Sequence, residues 1–284
     1  MSGRIFAKLP AALLSSLALA CVATGAHGQA QMSPAPAPAK SSEPPEIWAS
    51  LAREIFKGAA LTEGGGVAVL KMPVQYYDSS KVPVTIELEK PAATIRRLSL
   101  VIDQNPAPLA ATIAIGPQSG LTTLSARVRV NNITDVHLVA ERLDGSLHDV
   151  KRFVIAADGC SALSAKDKDR IAADMGAMTF HDIRAGDVGS ARRREAQITV
   201  RHPNYTGMQM DHSTGRYIPA RYIERLVVKQ GDDLVFEIAG GISMSEDPDL
   251  RFTYLPNGAK TLSVEARDSE GATWISHYPI GDAS

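Results

Sequence analysis

The sequence predicts an all-β protein: two β-sandwich domains in one chain, joined by a partly helical linker. Three observations carry this reading. Short runs of alternating apolar and polar residues recur along the chain, Asp-Gly and Asn-Pro dipeptides punctuate them, and one charged, alanine-rich stretch interrupts the series past the middle.

The elements follow in order. Residues 1–30 read as a secretory signal: Arg4 and Lys8 precede the apolar run "LPAALLSSLALACVA", and small residues lead to cleavage after Gly28 or Ala30. That run is too short to cross a bilayer, and no other segment approaches the length a span needs. Cleavage removes Cys21. The competing reading makes Cys21 a lipid-attachment residue, but Ala18 stands where a bulky aliphatic is usual. Residues 31–46 are a Pro/Ala/Ser tether. A helix is expected over "WASLAREIFK", with Trp48, Leu51 and Ile55 on one side.

The first sandwich is placed at 47–160. "VPVTIEL" puts Val82, Val84, Ile86 and Leu88 on one face, "IRRLSLVI" and "ARVRV" continue the theme, and a hairpin turns at Leu143 to Ser146. The linker is placed at 161–195. "SAKDKDRIAADMGAM" is helix-prone with Ser164 as its cap, and "HDIRAGDVGSARRRE" is polar and glycine-punctuated. The second sandwich is placed at 196–284, with hairpins around Gly231-Asp232 and around Ser269-Glu270-Gly271.

Composition excludes some functions. A formal net charge of −1 provides no basic field for nucleic acid, and 5% aromatic residues provide no stacking platform for bases. There is no Gly-rich phosphate loop, no CxxCH haem site and no paired-carboxylate motif, so no cofactor is expected.

The chain has two cysteines. With Cys21 cleaved, Cys160 is alone in an oxidising compartment, where an unpaired thiol forms an intermolecular bond, is reactive, or is a small buried hydrophobe. Its place, one step past a strand and between Gly159 and Ser161, favours an accessible thiol. Asp158 disfavours the thiolate. Two other constellations are weighed. Met208, Met210 and His212 have the soft thioether and imidazole ligands of a copper site, against which stands their plain reading as strand-end residues. Cys160 with His202 or His212 as base would make a cysteine hydrolase, but "DGCSA" does not resemble a nucleophile elbow. His181 is a lone linker histidine, and Arg192 to Arg194 read as solvated charge.

The first domain resembles SoxY, the sulfur-carrier subunit of the SoxYZ complex, through "VPVTIEL", "IDQNPAPLAATIAI" and "AERLDGSLHDVKRFVIAADGC". The second resembles SoxZ through His202, Pro203, Thr206, Gly207, Ile218 and Pro219, its "HP…TG…IP" signature. The single-chain form is similar to fused SoxYZ-like carriers associated with quinoprotein dehydrogenases. The resemblance implies immunoglobulin-like sandwiches and a periplasmic, non-enzymatic carrier. Its adduct is held on Cys160, in an arm that includes Asp158, Gly159 and Ser161, and is presented to partner enzymes. The PQQ-dependent dehydrogenase and a c-type cytochrome enter as partners on the same ground. The alternative is an accessory interaction module in which Cys160 is secondary. Unlike the free "GGCGG" terminus of SoxY, the arm here is internal and tied at both ends.

Overall fold

The computed structural model describes residues 45–156, 173–183, 193–211 and 213–280. All of these belong to one compact unit. The expected signal and most of the tether lie outside the described residues.

The first half runs α1 (Pro45–Ile55), β1 (Leu61–Glu63), β2 (Ala68–Lys71), β3 (Gln75–Tyr76), β4 (Val82–Leu88), β5 (Ile95–Ile102), β6 (Leu109–Ile115), β7 (Thr123–Val128), β8 (Ile133–Arg142) and β9 (Leu147–Ala156). The second half comprises β10 (Met178–Ile183), β11 (Arg194–Val200), β12 (Met210–Asp211), β13 (Arg216–Tyr217), β14 (Ile223–Gln230), β15 (Asp233–Gly240), β16 (Asp249–Tyr254), β17 (Thr261–Asp268) and β18 (Thr273–Pro279).

Alternation does what the sequence predicts. In β4, Val82, Val84 and Ile86 are buried while Pro83 is exposed, as a two-residue period requires. The β8–β9 hairpin turns at Leu143 to Ser146. Asp144 Oδ1 accepts from the backbone N–H (3.0 Å) and Oγ (2.6 Å) of Ser146, and Gly145 supplies a φ of 82°. The hairpins at Gly231-Asp232 and Ser269 to Gly271 also stand where expected. Helix α1 begins with Pro45, carries Glu46 in its first turn and Arg53 in its last, and so complements its dipole.

Two features differ from the sequence-based expectation. Met178–Ile183, inside the stretch read as linker, is a strand: it pairs with β11 from Met178↔Val200 to Ile183↔Glu195. Its apolar face is only Met178, Phe180 and the stack of Phe180 on Tyr278 (5.0 Å), too brief a signal among polar neighbours.

The second difference is larger. Each half is a sandwich, but the sheets run on from one half into the other. One ten-stranded sheet has the order β1-β9-β8-β5-β6-β15-β14-β17-β18, with β3 also on β9. The facing six-stranded sheet has the order β10-β11-β16-β7-β4-β2. The joins are β6 to β15, from Ile115↔Phe236 to Ala111↔Gly240, and β7 to β16, at Ser125↔Arg251 and Leu124↔Phe252. Gly116 lies at the first join, where a Cβ would overlap the backbone carbonyl of Leu234. One hydrophobic core, from Leu70 and Leu98 to Phe236, Phe252 and Val264, fills both halves. Polar ties cross between them as well. Asn105 Nδ2 donates to Ser243 Oγ (2.9 Å), and Thr253 Oγ1 accepts from the N–H groups of Thr122 (2.9 Å) and Thr123 (3.0 Å).

Candidate functional site

The strand that leads to Cys160 is β9, and its end is held on both sides. Ile155 N–H donates to Val74 O (2.7 Å), and Ala156 N–H donates to Asn132 O (2.9 Å). Strand β3 pairs with it in parallel, Gln75 with Ile155 and Tyr76 with Ala156, while Ile133 pairs with Ile155 from β8. Cys160 and its neighbours Asp158, Gly159 and Ser161 lie outside the described residues. Chain geometry alone keeps Cys160 within roughly 14 Å of Ala156, since an extended chain covers at most about 3.6 Å per residue.

The strand registers show what else stands at that end. Ala156 ends β9 where β8 begins, β5 ends and β6 begins; β15 ends and β14 begins there too. In the facing sheet β4 begins, β7 ends, β16 begins and β11 ends. The chain therefore leaves from the same end to which it returns at Ala173, ahead of β10. Gly176, with a φ of 82°, lies where a Cβ would overlap the Trp274 indole. Its N–H donates to Arg201 O (2.8 Å), and Arg201 N–H donates back to Ala177 O (2.8 Å).

The loop between β11 and β14 is at this end and holds the SoxZ-type signature. His202, Pro203 and Asn204 are buried, Thr206, Gly207 and Ile218 are half-buried, and Pro219 is exposed. His202 Nδ1 donates to Asn204 Oδ1 (2.7 Å). Asn204 in turn accepts from Ile223 N–H (2.9 Å) and donates to Ser245 O (2.8 Å). On the other side, His202 Nε2 is 3.6 Å from Asp268 Oδ2, which Arg221 Nε holds at 2.7 Å. Burial pushes the His202 pKa down, against the opposing pull of Asn204 and Asp268. These residues tie the loop to the sheet. Met208 and Met210 are exposed on a short hairpin whose Met210 pairs with Tyr217; His212 lies outside the described residues. Among the described residues, no group of three or more His, Cys, Asp or Glu could hold a metal ion. No helix among them is long and apolar enough to cross a membrane.

One functional-looking cluster is not evident in the sequence. His137 projects from the outer face of β8, buried under Trp48 of α1 with ring centroids 3.6 Å apart. Its Nδ1 donates to Asp149 (2.9 Å to Oδ2), and its Nε2 is 3.6 Å from Asp103 Oδ2. Burial alone would lower its pKa; the carboxylates of Asp103 and Asp149 outweigh that and push it up to about 9. The only sequence signal is a histidine inside the strand-like run "DVHLVAE", and nothing there names its partners. The cluster fixes α1 to the sheet.

Two family models match the chain. Sulfur oxidation protein SoxY matches residues 52–160, ending on Cys160, and Sulphur oxidation protein SoxZ matches residues 183–278. Among solved structures, the chain is similar to the sulfur carrier protein SoxY from Chlorobium limicola f thiosulfatophilum, at 19% identity and a TM-score of 0.34, over 40% of this chain and 98% of that one. It is also similar to the superoxide reductase (neelaredoxin) from Ignicoccus hospitalis, at 12% identity and a TM-score of 0.28, over 32% of this chain and 80% of that one. No curated protein matches. With a SoxY domain followed by a SoxZ domain in one polypeptide, the chain is a fused SoxYZ-like protein.

Proposed function

We propose that this chain is a non-enzymatic carrier, exported to the periplasm, that holds a sulfur-containing group covalently on Cys160 and presents it to partner enzymes. One observation carries the reading: the SoxY match ends on Cys160, four residues past Ala156, the last residue of a strand anchored by Val74 and Asn132. A thiol just beyond a fixed strand end has a rigid base and a limited reach. Such a thiol suits a group loaded and unloaded by other proteins rather than an autonomous nucleophile. The proposed partners are the enzymes that act on the carried group, within a PQQ-dependent dehydrogenase system and its c-type cytochrome.

The test is the intact mass of the protein taken from its own periplasm, with and without reductant. The expected result is a reductant-labile adduct that maps to Cys160 and disappears in Cys160→Ser. A bare thiol that is unreactive to a maleimide in the folded protein would overturn the carrier reading and leave the accessory module in its place.

A further inference from the structure

Ten large apolar side chains are exposed among the described residues. Seven of them lie at the end of the sandwich where the chain departs for Cys160 and returns from it: Leu109, which begins β6, and a group of six, Val74, Tyr77, Ile133, Met208, Met210 and Tyr217. The six are 43% to 82% exposed, Tyr77 the most. At the opposite end stand only Leu143 and Leu255. Scattered single apolar residues need no explanation, but a concentration around one end of a molecule marks an interaction surface.

The six come from two domains. Val74, Tyr77 and Ile133 ring the anchored end of β9; Met208, Met210 and Tyr217 belong to the signature loop of the second domain. Counting from β9 to β14 along the sheet, five steps of about 4.8 Å separate the two groups by roughly 24 Å. That is the width of one protein–protein contact of ordinary size. Charges on this end largely cancel in place: Lys81 pairs with Glu246 (2.6 Å), Arg201 with Asp247 (2.6 Å), and Arg221 with Asp268 (2.7 Å) and Glu270 (3.1 Å). A partner would therefore meet aromatic and thioether surface, the side-chain types enriched in interface cores, rather than a field of one sign.

We propose that this end is the docking face for the enzymes that act on the Cys160 adduct, and that it receives an apolar, weakly charged rim around the partner's active-site mouth. The occupant follows from reach. Because Cys160 cannot lie more than about 14 Å from Ala156, a protein that engages its adduct must cover the ground next to Val74, Tyr77 and Ile133. The second domain then has a role in recognition, since its hairpin extends the same face. This inference rests on the carrier reading.

The experiment compares adduct occupancy of Cys160, by intact mass, in protein taken from the native periplasm. It uses wild type, Val74→Ser/Tyr77→Ser/Ile133→Ser, Met208→Ser/Met210→Ser/Tyr217→Ser, the single variant Tyr77→Asp, and Leu143→Ser as the opposite-end control. The maleimide reactivity of the reduced Cys160 thiol is measured on each. The expected result is a change in occupancy of at least threefold in both triple variants and in Tyr77→Asp. The change is a fall where docking limits loading and a rise where it limits unloading, with Leu143→Ser and maleimide reactivity unchanged. A change below threefold in Tyr77→Asp and in any triple variant that keeps wild-type maleimide reactivity overturns the docking face and leaves the carrier reading intact. A bare thiol in wild type overturns the carrier reading itself.

Discussion

The indole of Trp48 lies flat on the imidazole of His137, ring centroids 3.6 Å apart and planes within 8° of parallel. With Asp149 on one ring nitrogen and Asp103 facing the other, His137 is a buried cation capped by an aromatic face, an arrangement that favours the charged form. Asp135, paired with Lys151 at 3.3 Å, borders the same cluster. The folded pKa of about 9 is above the ordinary 6.5. The stability this charge contributes is therefore fully present below pH 6.5 and lost as pH rises through about 9. Denaturant titrations from pH 6.5 to 10 should show a decline on the order of 3 kcal/mol. His137→Gln should remove most of that slope. An unchanged slope in the variant would mean that the cluster does not hold the proton.

His202 should act in the opposite sense. Burial holds its folded pKa below 6.5, so the unfolded chain takes up a proton first as pH falls, and stability drops from pH 6.5 downward. Replacing His202 by Gln should flatten the pH dependence between 7 and 5, while leaving the alkaline slope set by His137 in place. Two separable slopes, one removed by each variant, are the expected outcome; loss of both slopes in one variant would count against independent sites.

Gly176 is the point at which the returning chain is fixed to the second domain. Its positive φ already disfavours any other residue, and an added methyl would overlap the Trp274 ring. Gly176→Ala should cost about 1–3 kcal/mol in denaturant unfolding. Gly176→Ala combined with Trp274→Ala should recover part of that cost relative to the sum of the single variants, because the second substitution opens the space. Strict additivity would show that the strain is in the backbone alone.

Much of this fold is legible in local sequence. The two-residue alternation of β4 and the turn chemistry of Asp144-Gly145 need no distant partner, and both stand where the sequence puts them. The pairing of β6 with β15 is different, because Ile115 and Phe236 are far apart in the chain and each looks like any other core residue. For the same reason the Asp103–His137–Asp149 cluster is invisible in the sequence: its members come from three separate segments. The signature residues His202 and Pro203 are readable as a motif, but only the structure shows that His202 is bound to Asn204 and faces Asp268. Strand β10 is as long as β7, but only Met178 and Phe180 mark one of its faces as apolar among polar neighbours.

The shared sheets predict how the protein unfolds. Phe236 is fully buried, pairs with Ile115 across the join and meets Phe252 edge-to-face at 4.9 Å, so its ring belongs to the core of both halves. The two tryptophans report on the halves separately, Trp48 from α1 over the first and Trp274 from β18 in the second. In Trp48→Phe and Trp274→Phe variants, each with one tryptophan left, fluorescence and far-UV circular dichroism should give the same denaturant midpoint and slope within each variant, the mark of a single cooperative unit. Phe236→Ala should lower both midpoints together, with a loss of about 3–5 kcal/mol in unfolding free energy. Two independent sandwiches joined by a linker would behave otherwise: Phe236→Ala would shift the Trp274 transition and leave the Trp48 transition where it was.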